Sequence, residues 1–120
     1  MNRTLVIKAT AGEEDPERCN QAFTVAAAAA ASGVEVSLWL TGEAAWYAVP
    51  GRAEAFSLPH AAPLSDLLEG VLAVGRVTVC TQCAARRDLA GDDLITGVRI
   101  AGAPVFVEET LQDGAQALVY

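Results

Sequence analysis

Lysine occurs once in this chain, at Lys8, and histidine once, at His60. Seven arginines complete the basic side chains, against 15 aspartates and glutamates, and the formal net charge is −7. No basic stripe exists, and generic nucleic-acid binding rests on neutralising phosphates with such a stripe. Nucleic acid is therefore not an expected partner, and an anionic membrane surface is disfavoured on the same ground. Long apolar runs are also missing. The opening "MNRTLVIKATAGEED" offers only Leu5 to Ile7, where a secretory signal needs roughly 7–15 apolar residues. The stretch "FTVAAAAAASG", Phe23 to Gly33, is too short and too alanine-rich to span a bilayer. Neither an export signal nor a membrane anchor is expected.

Nucleotide and hydrolase signatures are missing as well. There is no G-x-x-x-x-G-K-[ST], no G-x-G-x-x-G and no G-x-S-x-G. The loop "TAGEED", Thr10 to Asp15, is acidic where a phosphate-binding loop wants neutral or basic groups. No cofactor is expected. Cysteine is sparse and odd in number, three in all. Without an export signal this points to a reducing cytoplasm, where thiols are chemical groups rather than staples.

The composition that remains is 52% hydrophobic and 19% charged over 120 residues. It describes a single packed domain over residues 1–120, with enough apolar surplus to hide some in a subunit interface. "TLVIKAT", Thr4 to Thr10, reads as a buried strand. Asp15 is a good helix cap, Pro16 suits the first helical position, Glu17 suits the positive end of the dipole, and Gly33 stops the helix. "VEVSLWL", Val34 to Leu40, is a second strand. A loop with about one helical turn leads to Pro50-Gly51, and "RAEAFSLPHAAP" is the least regular segment. "LSDLLEGVLAVG", Leu64 to Gly75, has helical spacing. "RVTVC", Arg76 to Cys80, is a short strand, and "TQCAARRDL" opens a helix. A short strand at Val98 to Ile100, a helix through Pro104 to Gly114 and a terminal strand "AQALVY" complete the chain. Strands and helices alternate, which predicts an α/β fold: a parallel sheet of strands buried on both sides, with helices on both faces.

Functional groups in such folds gather at the carboxyl ends of the strands. Cys80 falls at one of these ends and Cys83 in the first turn of the following helix. Free N–H groups and the helix dipole favour a thiolate there. Arg86 and Arg87 follow within one turn and add positive charge. A C-x-x-C pair so placed supports nucleophilic thiol, persulfide or dithiol redox chemistry. Inert packing of small apolar thiols and a zinc site are the competing readings. Zinc needs three or four ligands, and a second C-x-x-C is absent. Cys19 and His60 lack diagnostic spacing, so no metal is expected. Cys19 reads as a packed thiol in the first helix that could still face Cys80. His60 reads as a solvated or capping loop residue. Trp39, Trp46 and Tyr47 read as core or subunit-interface residues.

Three stretches in register, "EDPER" opening the first helix, "VCTQCAARR", and the ending "GVRIAG…EETLQDGAQALVY", resemble the DsrE/DsrF-like family. The chain is most similar to its small stand-alone members, sometimes labelled predicted peroxiredoxins, although the threonine-x-x-cysteine context of true peroxiredoxins is absent. The resemblance covers nearly the whole chain and is poorest from Ala45 to Ala61. It implies a three-layer α/β/α sandwich with a five-stranded, mostly parallel sheet. It also implies homo- or hetero-oligomers, commonly trimers or hexamers; a homo-oligomer is expected here, with sulfur donor and acceptor proteins as further partners. The cysteine matching Cys80 accepts sulfane sulfur as a persulfide and passes it on, and Cys83 matches the second cysteine of the stand-alone members. Cytoplasmic sulfur handling at Cys80 is the expected function. A dithiol oxidoreductase using Cys80 and Cys83, or a non-catalytic oligomeric binding subunit, are the alternatives.

Overall fold

The structure, a computed structural model, describes residues 3–120. Its strands are β1 (Thr4–Ala9), β2 (Glu35–Leu40), β3 (Arg76–Cys80), β4 (Arg99–Ala101) and β5 (Ala115–Val119). They form one five-stranded sheet in the order β4-β3-β2-β1-β5, and every neighbouring pair is parallel. The helices are α1 (Pro16–Ala31), α2 (Arg52–Ala55), α3 (Leu64–Val74), α4 (Thr81–Arg86) and α5 (Ala103–Thr110), with a 3₁₀ helix over Gly42–Ala48 and a short one over Gly91–Asp93. The fold class expected from the alternation is thus the one observed.

The local signals act where they stand in the chain. The Asp15 carboxylate accepts a hydrogen bond from the Arg18 N–H, Pro16 occupies the first turn, and Gly33 leaves the helix at φ +83°. β3 has the expected bounds Arg76–Cys80. α5 ends at Thr110, four residues before Gly114; the helical turn expected before Pro50-Gly51 is the 3₁₀ helix over Gly42–Ala48, and α2 puts a further turn in the segment that reads as least regular.

Chain direction decides the layers. The path β1 to β2 to β3 to β4 steps steadily one way across the sheet, and the return from β4 to β5 runs the other way. Right-handed crossovers then place α1, α3 and α4 on one face and α5 on the other. The packing agrees. Ile7, Leu38, Leu40, Val77 and Val79 share a single buried cluster with Phe23 and Ala26 of α1, Leu68 and Val71 of α3, and Cys83 and Ala84 of α4. Residues of opposite parity, Ser37 and Trp39, meet Glu109 and Phe106 of α5.

The strands therefore differ from the continuous apolar strands expected. The face beneath α5 is polar: Lys8, Trp39, Thr78 and Arg99 lie in one row across β1, β2, β3 and β4. Glu109 is buried there, accepting from Ser37 Oγ at 2.5 Å, from Trp39 Nε1 at 3.0 Å and from Arg99. Arg99 Nε also donates to Thr78 Oγ1 at 2.6 Å. A single eight-residue helix covers this face, and the edge strand β5 leaves Leu118 and Val119 exposed. Among the described residues no helix is long and apolar enough to cross a membrane.

Candidate functional site

The carboxyl ends of β3 and β4 are adjacent, with Cys80 paired to Ala101. Their connections part there: β3 continues into α4 on one face and β4 into α5 on the other. Such a topological switch opens a crevice at the strand ends, the usual ligand position of open α/β sheets. The start of α5 lies close by, since a Cβ added to Gly102 would stand 3.6 Å from Thr81 Oγ1. Cys80 is the last residue of β3 and the N-cap of α4. It is partly exposed, while Cys83 in the first turn of α4 is buried, and both thiols are free.

The local field favours a thiolate at Cys80. Partial burial pushes its pKa up, but the backbone N–H groups of Cys83 and Gln82, the Cys83 thiol and the Lys8 ammonium together outweigh it, and the net shift is downward. The helix start supplies the amides, as the spacing of the pair requires. Cys83 in turn accepts a hydrogen bond from the Gly42 amide, N to Sγ 3.2 Å. Gly42 opens the 3₁₀ helix after β2 with φ +53°. A side chain there would meet the Thr10 carbonyl oxygen at 2.6 Å, so the close approach needs glycine. The ends of β1, β2 and β3 thus converge on the two sulfurs.

The two arginines are engaged elsewhere. Arg87 pairs with Glu43 at 2.7 Å and donates to the Cys83 carbonyl at 3.1 Å. Arg86 donates to Gln82 at 3.3 Å on the exposed side of α4. The cation that acts on Cys80 is Lys8, which sequence reasoning noted only for its solitude. Its position on the Cys80 side of the sheet depends on strand register, which composition cannot supply.

Cys19 and His60 do not join this site. Cys19 is buried on the α1 side of the sheet, the side opposite the polar row, and burial with the nearby Glu14 carboxylate pushes its thiol up to about 12. His60 is exposed in a left-handed loop conformation, φ +62°. It borders a cavity of about 400 Å³ with Glu17, Asn20, Gln21 and Leu58. Among the described residues no three histidine, cysteine or carboxylate side chains are grouped to hold a metal ion. Trp39 is fully buried, and Tyr47 is buried against Phe23 and Phe56. Trp46 stacks against the Arg52 guanidinium, 4.4 Å from ring centroid to Cζ.

The DsrE/DsrF-like family model matches residues 4–120. The chain belongs to the DsrE/DsrF-like family. Solved structures repeat its fold at low identity. The YchN protein from E. coli is 19% identical, matches over 100% of both chains and superposes with a TM-score of 0.75. A protein of unknown function, MTH1491 from Methanobacterium thermoautotrophicum, is 12% identical over 99% of this chain and 100% of its own, with a TM-score of 0.68. BT1422 from Bacteroides thetaiotaomicron, also of unknown function, is 16% identical over 98% of this chain and 94% of its own, at 0.58. No curated protein sequence matches the chain. DsrE-like proteins are often linked to sulfur relay.

Proposed function

We propose that this protein is a cytoplasmic sulfur carrier that holds sulfane sulfur as a persulfide on Cys80 and passes it to an acceptor thiol. The observation that carries the reading is the setting of Cys80. It is a partly exposed thiol of lowered pKa at the topological switch of a DsrE/DsrF-like fold. In the accepting step the Cys80 thiolate attacks a sulfane sulfur, an S–S bond forms at Cys80, and the donor's S–S bond breaks with its electron pair leaving on the donor fragment. In the delivering step an acceptor thiolate takes the outer sulfur and Cys80 leaves as thiolate. Neither step consumes an external oxidant or reductant.

Cys83 sets the second reading. Its thiol stands three residues on, in the first turn of the helix that Cys80 caps, and helps to lower the Cys80 pKa, so it can attack the inner sulfur of the persulfide, form a Cys80–Cys83 disulfide and expel hydrosulfide. A dithiol oxidoreductase would use that disulfide in turnover and would lose activity with Cys83→Ala, whereas a pure carrier survives it. The carrier is further proposed to work as a homo-oligomer, a trimer or hexamer, with separate sulfur donor and acceptor proteins. Val107, Leu111 and Val119, exposed around α5 and β5, support a self-contact there.

Mass spectrometry after incubation with sulfane-sulfur donors tests the carrier. Wild type is expected to gain the mass of one sulfur atom on the peptide bearing Cys80, and Cys80→Ser to gain none. A wild-type protein that alkylates readily at Cys80 but gains no sulfur from any donor would sink the proposal.

A further inference from the structure

Lys8 is half-buried on the sheet face that carries Cys80. It pairs in register with Trp39, Trp39 with Thr78, and Cys80 lies two residues beyond Thr78 on the same side of β3. Two strands across and two residues along put the two Cα atoms about 12 Å apart. The lysine side chain spans part of that gap, for its ammonium is held 4.7 Å from the centroid of Phe106. Phe106 belongs to the first half of α5, the helix that begins beside Thr81. A cation over an aromatic face keeps its charge and most of its direction.

The neighbouring charges leave Lys8 in a distinct position. Arg99, in the same row, is neutralised by Glu109. Arg87, across the pair of sulfurs, is neutralised by Glu43. Arg86 lies on the exposed side of α4 against Gln82. Lys8 makes no ion pair among the described residues. The chain as a whole carries −7, and Glu13, Glu14 and Asp15 sit in the loop after β1, at the same edge of the sheet as Cys80. An anion approaching this edge meets net repulsion except on the side of the sheet that Cys80 shares with Lys8, a cation without a carboxylate partner that acts on the thiol.

We propose that Lys8 makes the approach to Cys80 selective for anions, and that the sulfur donor is a small anionic sulfane such as inorganic polysulfide. The donor class rests on the carrier reading above; the anion preference does not. The Cys80 thiolate attacks a sulfane sulfur of the polysulfide anion. One S–S bond forms at Cys80 as one breaks in the donor, and the electron pair leaves on a polysulfide anion one sulfur shorter. Lys8 offsets the repulsion between the two anions as they meet and the charge on the departing fragment.

Two alkylating agents of the same chemistry and different charge test the preference without sulfur transfer. Second-order rates at Cys80 are measured with iodoacetate and with iodoacetamide, resolved by site with mass spectrometry. Their ratio cancels the thiolate fraction, so a changed pKa alone leaves it unmoved. In Lys8→Met the iodoacetate-to-iodoacetamide ratio is expected to fall about fivefold at low ionic strength, and Lys8→Arg to retain it. Added salt is expected to lower the wild-type ratio towards that of Lys8→Met, a control that needs no variant to fold. A ratio that is the same within twofold in wild type and Lys8→Met, or that salt leaves unmoved, overturns the anion preference. Persulfidation by inorganic polysulfide is then timed in both proteins, with a slowing in Lys8→Met of at least the factor seen with iodoacetate. A wild type that is persulfidated by other sulfane donors but not by inorganic polysulfide overturns the donor class alone, and one persulfidated by no donor overturns the carrier reading; an intact alkylation ratio leaves the anion preference standing in both cases.

Discussion

The Gly42 amide and the Cys83 sulfur are joined by a 3.2 Å hydrogen bond that ties the end of β2 to the first turn of α4. It fixes Cys83 in the first turn of the helix that Cys80 caps, where its thiol helps to lower the Cys80 pKa. The two sulfurs are therefore not equivalent: Cys80 is partly exposed, while Cys83 is buried and held in place.

This arrangement predicts the effect of removing the donor. Cys83→Ala takes away a thiol that lowers the Cys80 pKa, so the pH at which Cys80 becomes reactive is expected to rise. Cys83→Ser keeps an O–H donor and is expected to shift it less. The pH profile of iodoacetamide alkylation at Cys80 measures both, and a profile unchanged in Cys83→Ala refutes the coupling. Gly42→Ala is expected to destabilise the fold by about 1–3 kcal/mol, because the added Cβ meets the Thr10 carbonyl and the left-handed backbone is strained.

Cys19 gives the protein an alkaline weakness. Its thiol is raised to about 12 in the fold from an ordinary value of 9.0, so the folded state binds its proton more tightly than the unfolded state. The stability this confers is complete below about pH 9 and is lost progressively as pH rises through about 12. Denaturation midpoints between pH 8 and 11 are expected to fall less steeply for Cys19→Ala than for wild type, after subtracting the cavity cost measured at pH 8. Tyr47, also raised by burial, adds to the slope in both proteins. Parallel slopes in the two proteins contradict this assignment.

Glu109 fastens α5 to the sheet. Burial raises its pKa, but hydrogen bonds from Ser37, Trp39 and Arg99 and the charge of Arg99 outweigh it, and the net shift is below the ordinary 4.5. Its contribution is therefore present above the unfolded value and is lost as pH falls through the lowered one. Glu109→Ala leaves the Arg99 charge and two donors without an acceptor and is expected to cost about 3–5 kcal/mol. Glu109→Gln is expected to cost less. Urea denaturation followed by tryptophan fluorescence reads both, and a cost below about 1 kcal/mol for the alanine variant contradicts the role.

Self-association is tested at the exposed apolar side chains. Leu111→Glu and Val119→Lys place charges on α5 and β5 where Leu111 is 78% and Val119 63% exposed. Sedimentation is expected to show wild type as a trimer or hexamer and the double variant as a smaller species. A monomeric wild type at micromolar concentration removes the assembly from the proposal.

Much of this architecture is legible in the sequence because its signals are local. Asp15, Pro16 and Gly33 mark α1 within the chain itself, and "RVTVC" delivers Cys80 to a strand end with no tertiary knowledge. The roles of Lys8 and Glu109 are not legible in this way. Lys8 looks like an interruption in an apolar strand until the register sets it beside Trp39 and Thr78. Glu109 looks like one acid of "EET" until the sheet brings Ser37 to it from 72 residues away. The polar face escapes a reading by periodicity because Trp39 and Thr78 suit a strand whatever they touch.

The three cysteines differ enough in access to give the wild-type chain a built-in handle. Cys19 is 1% exposed and Cys83 8% exposed, which leaves Cys80 as the sulfur that a bulky maleimide reaches in the folded protein. A fluorophore can therefore be placed at the reactive edge without engineering any cysteine away. Its quenching or depolarisation then reports, in real time, whatever docks at the end of β3.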